Sequence, residues 1–307
     1  MSGSVLVLVP IALLAIVVLL GFVGCGKPFT IAPYGDQILA IKGLTAYWPL
    51  NELAGPKAID KKGGHDGAYL DKNLPPPEDA LFPIPAVSLA SMPPSPHPGA
   101  GAPGTLMFGQ PTIMHGDPWS ATVKLDGGFV RVPWDAAFNP PEFTVEAWVQ
   151  PGWVTGDGTL RVVIDSRQAA GGHVFGFALY ATEGGLWEAV IGTGGAGGVE
   201  QVTATGPMVK TTETAYLAVT FAGGALSLLV DGLSAGSVPA NYAPNTGVDL
   251  FIGMGAPFLP QRSQPQPPGT LTGPLFPFKG TIQDVAVYNR VLNAEEIGGN
   301  RTGGKGA

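Results

Sequence analysis

The sequence is poor in charge and in cysteine. Only 13% of its 307 residues are charged, and the net charge is −7. Nucleic-acid affinity comes mainly from clustered cations, and this chain has no extended run of Lys or Arg, so a nucleic-acid partner is not expected. The single cysteine, Cys25, excludes an intrachain disulfide. The fold must therefore be stabilised by packing and turn geometry.

Glycine and proline, in contrast, are abundant. The chain has 46 Gly and 31 Pro, together with 45% hydrophobic residues. Many turn-forming residues between apolar segments are typical of short strands joined by tight connections, and the apolar content is sufficient for a core. The composition predicts an all-β domain with little helix.

The N-terminal segment is uncharged from Val5 to Val23. As a helix at about 1.5 Å per residue this run spans roughly 28 Å, close to the ~30 Å hydrocarbon core of a bilayer. A cleaved secretory signal would carry basic residues before the run, and none is present. We therefore predict a transmembrane anchor over residues 1–26 and a linker over 27–42. The alternative is a lipoprotein, because Phe22-Val-Gly-Cys25 resembles a lipobox in which Cys25 becomes lipidated.

Short strand candidates follow between residues 43 and 299. Their number and spacing predict a sandwich or a barrel. Asp126-Gly-Gly128 predicts a hairpin, because glycine readily adopts positive φ. Asn293-Ala-Glu-Glu296 has the form of a helix N-cap and predicts one short closing turn, with residues 300–307 as a tail. The candidates are Leu44–Leu50, Val123–Leu125, Phe129–Val132, Phe143–Val149, Leu160–Ile164, Val174–Tyr180, Leu186–Ile191, Tyr216–Phe221, Leu226–Val230, Leu250–Ile252 and Ile282–Tyr288.

Five fragments, in family order, together resemble laminin-G-like, concanavalin-A-like lectin/glucanase domains. The resemblance implies a jelly-roll β-sandwich of two antiparallel sheets. Such domains occur in many bacterial envelope and secreted proteins, which implies a location on the periplasmic or extracellular side. The fragments are Gly43–Glu52, Asp60–Gly67, Phe143–Val149, Tyr216–Gly232 and Gly280–Ile297.

The expected sandwich fold predicts structural roles for several residues. We expect the rings of Trp48, Trp148 and Tyr288 to fill the space between the two sheets, because large aromatic side chains on strands pack in the core. Asp231-Gly232 should end a strand in a tight turn.

Two Pro-rich insertions, residues 75–118 and 257–277, interrupt the strand pattern. Each proline removes a backbone donor that a sheet would need, so both are expected to be extended loops. Long loops in compact domains are often functional, and these carry apolar residues. We predict that they bind partner subunits; the alternative is that they fold back over their own sandwich. The predicted contact residues are Leu81, Phe82, Ile84, Met107, Phe108, Phe258 and Phe276.

Catalysis is not expected. Relatives that hydrolyse polysaccharides carry carboxylates along one strand as Glu-x-Asp-x-Glu, and no such run exists here. Glu142 and Glu146 lie on one strand candidate, but Glu146 stands where the family usually has a small or polar residue. Ser166 and Cys25 lack the setting of a nucleophile, and the histidines lack the spacing of zinc ligands. A degenerate glycoside hydrolase is the third interpretation.

The family resemblance also implies two kinds of ligand. Calcium would be held by Asp60, Asp66 and Asp284, although Gln283 stands where the family usually has an acid; strand-end hydrogen bonds are the competing role for these carboxylates. A glycan would need exposed aromatic rings, and the candidates are Trp119, Trp134, Trp153 and Trp187.

The leading hypothesis is thus a membrane-anchored, non-catalytic accessory subunit that docks on a larger membrane complex. The alternative is an envelope lectin, with or without calcium.

Overall fold

The computed structural model describes residues 33–71, 105–118, 120–255 and 276–306. The chain divides into two compact units, Met1–Pro33 and Tyr34–Ala307. The predicted anchor and Cys25 lie outside the described residues. Within the described ranges, no helix is both long enough and apolar enough to cross a membrane.

Two eight-stranded antiparallel sheets form the second unit, which confirms the predicted all-β fold. Sheet A has the order β16-β15-β14-β7-β18-β5-β4, with β1 also paired to β18, and sheet B has the order β13-β12-β11-β8-β17-β6-β3-β2. A separate ribbon joins β9 and β10. The strands are β1 Leu44–Trp48, β2 Lys57–Ala58, β3 Gly67–Leu70, β4 Thr105–Pro111, β5 Ala121–Asp126, β6 Phe129–Val132, β7 Phe143–Pro151, β8 Arg161–Asp165, β9 Gln168–Ala170, β10 His173–Phe175, β11 Phe177–Ala181, β12 Leu186–Gly192, β13 Gln201–Met208, β14 Ala215–Ala222, β15 Ala225–Val230, β16 Leu233–Pro239, β17 Leu250–Ile252 and β18 Lys279–Tyr288.

Strand β7 is buried on both faces. Phe143, Val145 and Ala147 point into the core between the sheets. The alternating side chains, including Trp148, point to the outer face of sheet A. That face is covered by two α-helices, α1 Tyr34–Leu39 and α2 Ala294–Lys305, so a second apolar layer lies outside the sandwich core.

Helix α2 begins at the predicted cap. The Asn293 side chain accepts from the Glu296 backbone N–H at 2.9 Å, and the Glu296 carboxylate accepts from the Asn293 N–H at 2.9 Å. The helix then continues through Gly298 to Lys305, so the predicted C-terminal tail is wrong. Four glycines weaken its intrinsic helix propensity, but Gly303 allows close packing on α1 and Gly304 allows close packing on the sheet. A Cβ at Gly304 would lie 2.2 Å from the Trp148 ring.

Helix α1 changes the predicted start of the domain. It lies inside the expected linker, and both Tyr34 and Ile38 are 1% exposed. Its contacts with sheet A and α2 are long-range in sequence, so local composition did not reveal them. The folded domain therefore begins before residue 43. Two short 3₁₀ turns, Ala136–Phe138 and Ala196–Gly198, complete the helical segments of the described ranges.

Two further expectations are corrected. The end of the first insertion is strand β4, which pairs with β5 at the edge of sheet A. An edge strand tolerates its terminal Pro111, because the missing N–H costs no ladder bond there. Asp126-Gly-Gly128 is not a hairpin: β5 pairs in sheet A and β6 in sheet B, so these residues carry the chain from one sheet to the other. The Asp231-Gly232 turn is confirmed between β15 and β16.

Because α2 lies close to Trp148, we predict that alanine substitution affects the stability of the fold differently at two glycines of this helix. Gly304→Ala should destabilise the fold by about 1–3 kcal/mol, because the new methyl group overlaps the indole. Gly299→Ala, where a Cβ meets no atom within 4 Å, should be neutral or stabilise by up to about 1 kcal/mol. Urea unfolding of both variants measures this; equal effects would contradict the packing described.

Candidate functional site

The outer face of sheet A contains a buried carboxylate, Glu146. Its side chain is 1% exposed. It accepts hydrogen bonds from the hydroxyl of Tyr216, from the hydroxyl of Tyr288 at 2.7 Å and from the Asn300 amide at 3.0 Å. Burial raises the pKa of Glu146, although these three donors partly oppose the shift. The carboxylate therefore joins β7, β14, β18 and helix α2 in one network.

This network separates the two carboxylates that could have formed a hydrolytic pair. Glu142 is exposed before the start of β7, whereas Glu146 is enclosed beneath α2. A glycosidase needs two carboxylates that reach the same sugar from a solvent-accessible face. The arrangement gives Glu146 a structural role, as an acceptor that fixes the C-terminal helix.

Trp148, two residues after Glu146, fixes the other helix. Its indole N–H donates to the Tyr34 hydroxyl at 2.9 Å, and the two rings meet edge-on with centroids 6.4 Å apart. Trp148 and Tyr288 thus lie on the outer face of sheet A, so their predicted position between the sheets is wrong. Trp48 does lie between the sheets, as predicted. Alternation on a strand places two residues on one face but does not say which face is inner.

Asp284 lies at a bulge in β18. The register shifts between Gln283 and Ala286, and Asp284 adopts a positive φ of 53°. One of its oxygens accepts a hydrogen bond from the Tyr47 hydroxyl, whereas Oδ2 is buried and no described donor reaches it in hydrogen-bond geometry. Burial raises the pKa of Asp284 to about 7, and the negative charge of Asp117 adds to the rise.

The other two predicted calcium ligands lie in the loop after β2. Asp60 Oδ1 accepts from the backbone N–H groups of Tyr47 and Lys62, each at 2.9 Å. Its Oδ2 faces the backbone N and ring Nδ1 of His65, at 3.2 and 3.1 Å. Asp66 accepts from the Asp60 N–H at 2.9 Å. Donors thus surround the oxygens that a cation would need.

The predicted set therefore does not form one site. Asp60 accepts a hydrogen bond from the backbone N–H of Tyr47, whereas Asp284 accepts one from the Tyr47 side-chain hydroxyl. The two carboxylates therefore lie at opposite ends of Tyr47. Across the described ranges, no group of three His, Cys, Asp or Glu side chains is placed to hold a metal ion. In the structure these carboxylates accept hydrogen bonds within the loop and at the bulge.

Of the four tryptophans considered for sugar stacking, Trp134 is the accessible one among those described. It is 38% exposed, whereas Trp153 and Trp187 are buried, and Trp119 lies outside the described residues. The Trp134 backbone N–H donates to Asp249 at 2.9 Å. Asp249 also forms an ion pair with Arg131 at 2.5 Å, which holds this corner in place.

The predicted partner residues have different environments. Met107, on the edge strand β4, is 37% exposed. Phe108 packs against the core and meets the Tyr69 ring edge-on at 5.0 Å. Phe276 packs against Val162 and its neighbours on the outer face of sheet B. Leu81, Phe82, Ile84 and Phe258 lie outside the described residues.

Comparison with known families agrees with this architecture. The family model described as the concanavalin A-like lectin/glucanases superfamily matches residues 126–298, more than half of the chain. The chain belongs to this superfamily. No curated protein matches it.

Two solved structures are similar to this chain. The botulinum neurotoxin serotype C1 binding domain is similar with a TM-score of 0.53 and 9% identity, over 86% of this chain and 52% of that one. Trypanosoma rangeli sialidase in complex with sialic acid is similar with a TM-score of 0.49 and 15% identity, over 86% of this chain and 36% of that one. This chain thus spans only about a third to a half of these structures, and identities this low concern the fold alone.

The position of Asp284 predicts a pH dependence of stability. An acid whose folded pKa is about 7 holds a proton that the unfolded chain, with a pKa near 3.8, has released. Between about pH 4 and about pH 7 the folded state binds more protons, so stability should fall as pH rises through this window. Asp284→Asn should flatten the fall, and Asn tolerates the positive φ.

Urea unfolding at several pH values measures the effect. Glu146 contributes with the same sign, because its pKa is also raised, so the flattening should be partial. Glu183→Gln, which removes an exposed acid, is the matched control. An unchanged slope in Asp284→Asn would contradict the assignment.

Proposed function

We propose that this protein is a non-catalytic interaction subunit, attached to a membrane through its N-terminal segment, with the sandwich on the periplasmic or extracellular side. The observation that carries the proposal is the enclosure of Glu146. Helix α2 covers the sheet face where the second carboxylate of a hydrolytic pair would have to act. Because a fold by itself confers no chemistry, the superfamily's enzymes do not count against this.

The two edges of sheet A support a docking role. Met107 on edge strand β4 is 37% exposed and Leu233 on edge strand β16 is 74% exposed. Exposed apolar side chains on edge strands favour association with another chain. The uncharged run from Val5 to Val23 supplies the proposed membrane attachment, with lipidation of Cys25 as the alternative. No resident cofactor is required, and calcium is an alternative only for the lectin considered below.

Purification from native membranes in mild detergent tests the docking role. We expect defined partner subunits to co-purify with the full chain. Removal of residues 75–103 or of 258–274 should reduce that co-purification and leave the melting temperature unchanged, because both deletions spare β4, which β5 needs for pairing. Retained partners with a large fall in melting temperature would show that the insertions cover their own sandwich. The intact mass of the same preparation distinguishes a retained anchor from a lipidated Cys25.

A glycan-binding role is the second candidate, and the exposure of Trp134 is the observation that favours it. The Trp134 backbone is held by Asp249 and its indole N–H donates to the Asn245 carbonyl at 3.4 Å, so the indole presents a face on which a sugar ring can stack. If this role is correct, Trp134→Ala should reduce binding to a glycan array at least about tenfold, a loss of roughly 1.4 kcal/mol. Leu53→Ala, which removes another exposed apolar side chain, is the control. Parallel arrays with calcium and with EDTA determine whether an ion takes part.

A further inference from the structure

The edges of the two sheets meet along one side of the sandwich, where β13 of sheet B faces β16 of sheet A. Glycine permits this approach: a Cβ at Gly236 would lie 2.4 Å from the Thr205 carbonyl oxygen, and a Cβ at Gly206 would lie 2.9 Å from Leu228. The two strands touch there. Beyond this contact, toward the end of β13 and the start of β16, a groove opens between them.

The groove has an apolar floor and apolar side chains on both walls. Its volume is about 520 Å³, within the range of small-ligand and peptide pockets. Trp187, Val230 and Pro151 line it. Met208 and Leu233 stand on opposite walls and are 54% and 74% exposed. Exposed side chains of this size on both walls are typical of an interaction site.

The charges at the rim neutralise one another. Lys210 forms an ion pair with Glu213 at 3.0 Å, and Asp231 forms one with Lys305 at 3.0 Å. Each charged side chain that lines the groove thus has a partner of opposite sign beside it. A ligand with a net charge would gain nothing from this site, and charge complementarity favours an uncharged one.

The first residues of strand β16 present a backbone edge to this groove. Among the described strands it pairs only with β15 in sheet A; on its other side Gly236 lies against β13, whereas Leu233, Ser234 and Ala235 line the groove. Natural proteins usually block such edges with charged residues, and β16, Leu-Ser-Ala-Gly-Ser-Val-Pro, contains none. A backbone edge beside an apolar groove is the arrangement that receives an added strand from another chain.

We propose that the groove binds an extended, uncharged segment of a partner protein, which adds to β16 and places apolar side chains between Met208 and Leu233. The inference rests on the proposed docking role and names the surface and the chemistry of its partner. A sugar fits the site less well, because Trp187 is only 2% exposed and offers no ring face for stacking.

A labelled peptide, Thr-Val-Thr-Val-Thr-Val-Thr, tests the site by fluorescence anisotropy with the full chain in detergent. We expect saturable binding that Leu233→Lys weakens at least tenfold, because a lysine on the edge opposes strand addition. Leu53→Lys, at an equally exposed position, should bind as the wild type does and corrects for peptide partition into micelles. N-methylation of alternate peptide nitrogens should abolish binding by removing the donors of the added strand.

Three results would overturn the inference. The first is equal peptide affinity in Leu233→Lys and the wild type, or no binding to either. The second is displacement of the peptide by a neutral oligosaccharide such as cellohexaose. The third is a shift from dimer to monomer in Leu233→Lys on sedimentation, which would assign the edge to a second copy of this chain.

Co-purification separates this inference from the docking role on which it rests. If Leu233→Lys retains the native partners, the groove is not the docking surface although the docking role stands. If no defined partner co-purifies with the wild type, the docking role itself is wrong.

Discussion

A carboxylate buried without a cation must have its oxygens satisfied by neutral donors, and this requirement at Glu146 organises the outer layer of the protein. Unpaired, such a group would be costly to bury. The donors to Glu146 are two tyrosine hydroxyls from neighbouring strands and the amide of Asn300. Because Asn300 lies on α2, the requirement couples the position of that helix to the middle of sheet A. Strand β7 is consequently buried on both sides.

The same outer layer accounts for two helices that would be weak in isolation. Helix α1 is a turn and a half long, and α2 contains four glycines, so neither has strong intrinsic propensity. The Tyr34 hydroxyl accepts a hydrogen bond from the Trp148 indole N–H, and Gly304 lets α2 lie directly on that indole. Tertiary packing therefore stabilises both helices and joins the two ends of the domain on one sheet face.

This arrangement encloses one sheet face of a common fold. A superfamily that includes lectins and glucanases supplies the sandwich, but here one sheet face is enclosed by the helices. What stays accessible in the described part of sheet A is its edges, where Met107 and Leu233 are exposed. Sites grafted on a scaffold, and not the scaffold itself, determine what a domain binds. The edge strands and the groove beside β16 are therefore the surfaces on which the proposed contacts with another chain rest.

The amino-acid sequence by itself determined most strands of the core, although not β4, β13 or β16, and it determined the Asp231-Gly232 turn, the cap at Asn293 and the family, because these depend on local alternation, turn chemistry and short motifs. Tertiary structure alone decided which face each side chain took. Trp148 and Tyr288 lie outside the sandwich, Asp126-Gly-Gly128 crosses between sheets, and residues 300–305 are helical. The groove between β13 and β16 joins strands distant in the chain. A period of two assigns residues to alternate faces, but only long-range packing decides what covers each face.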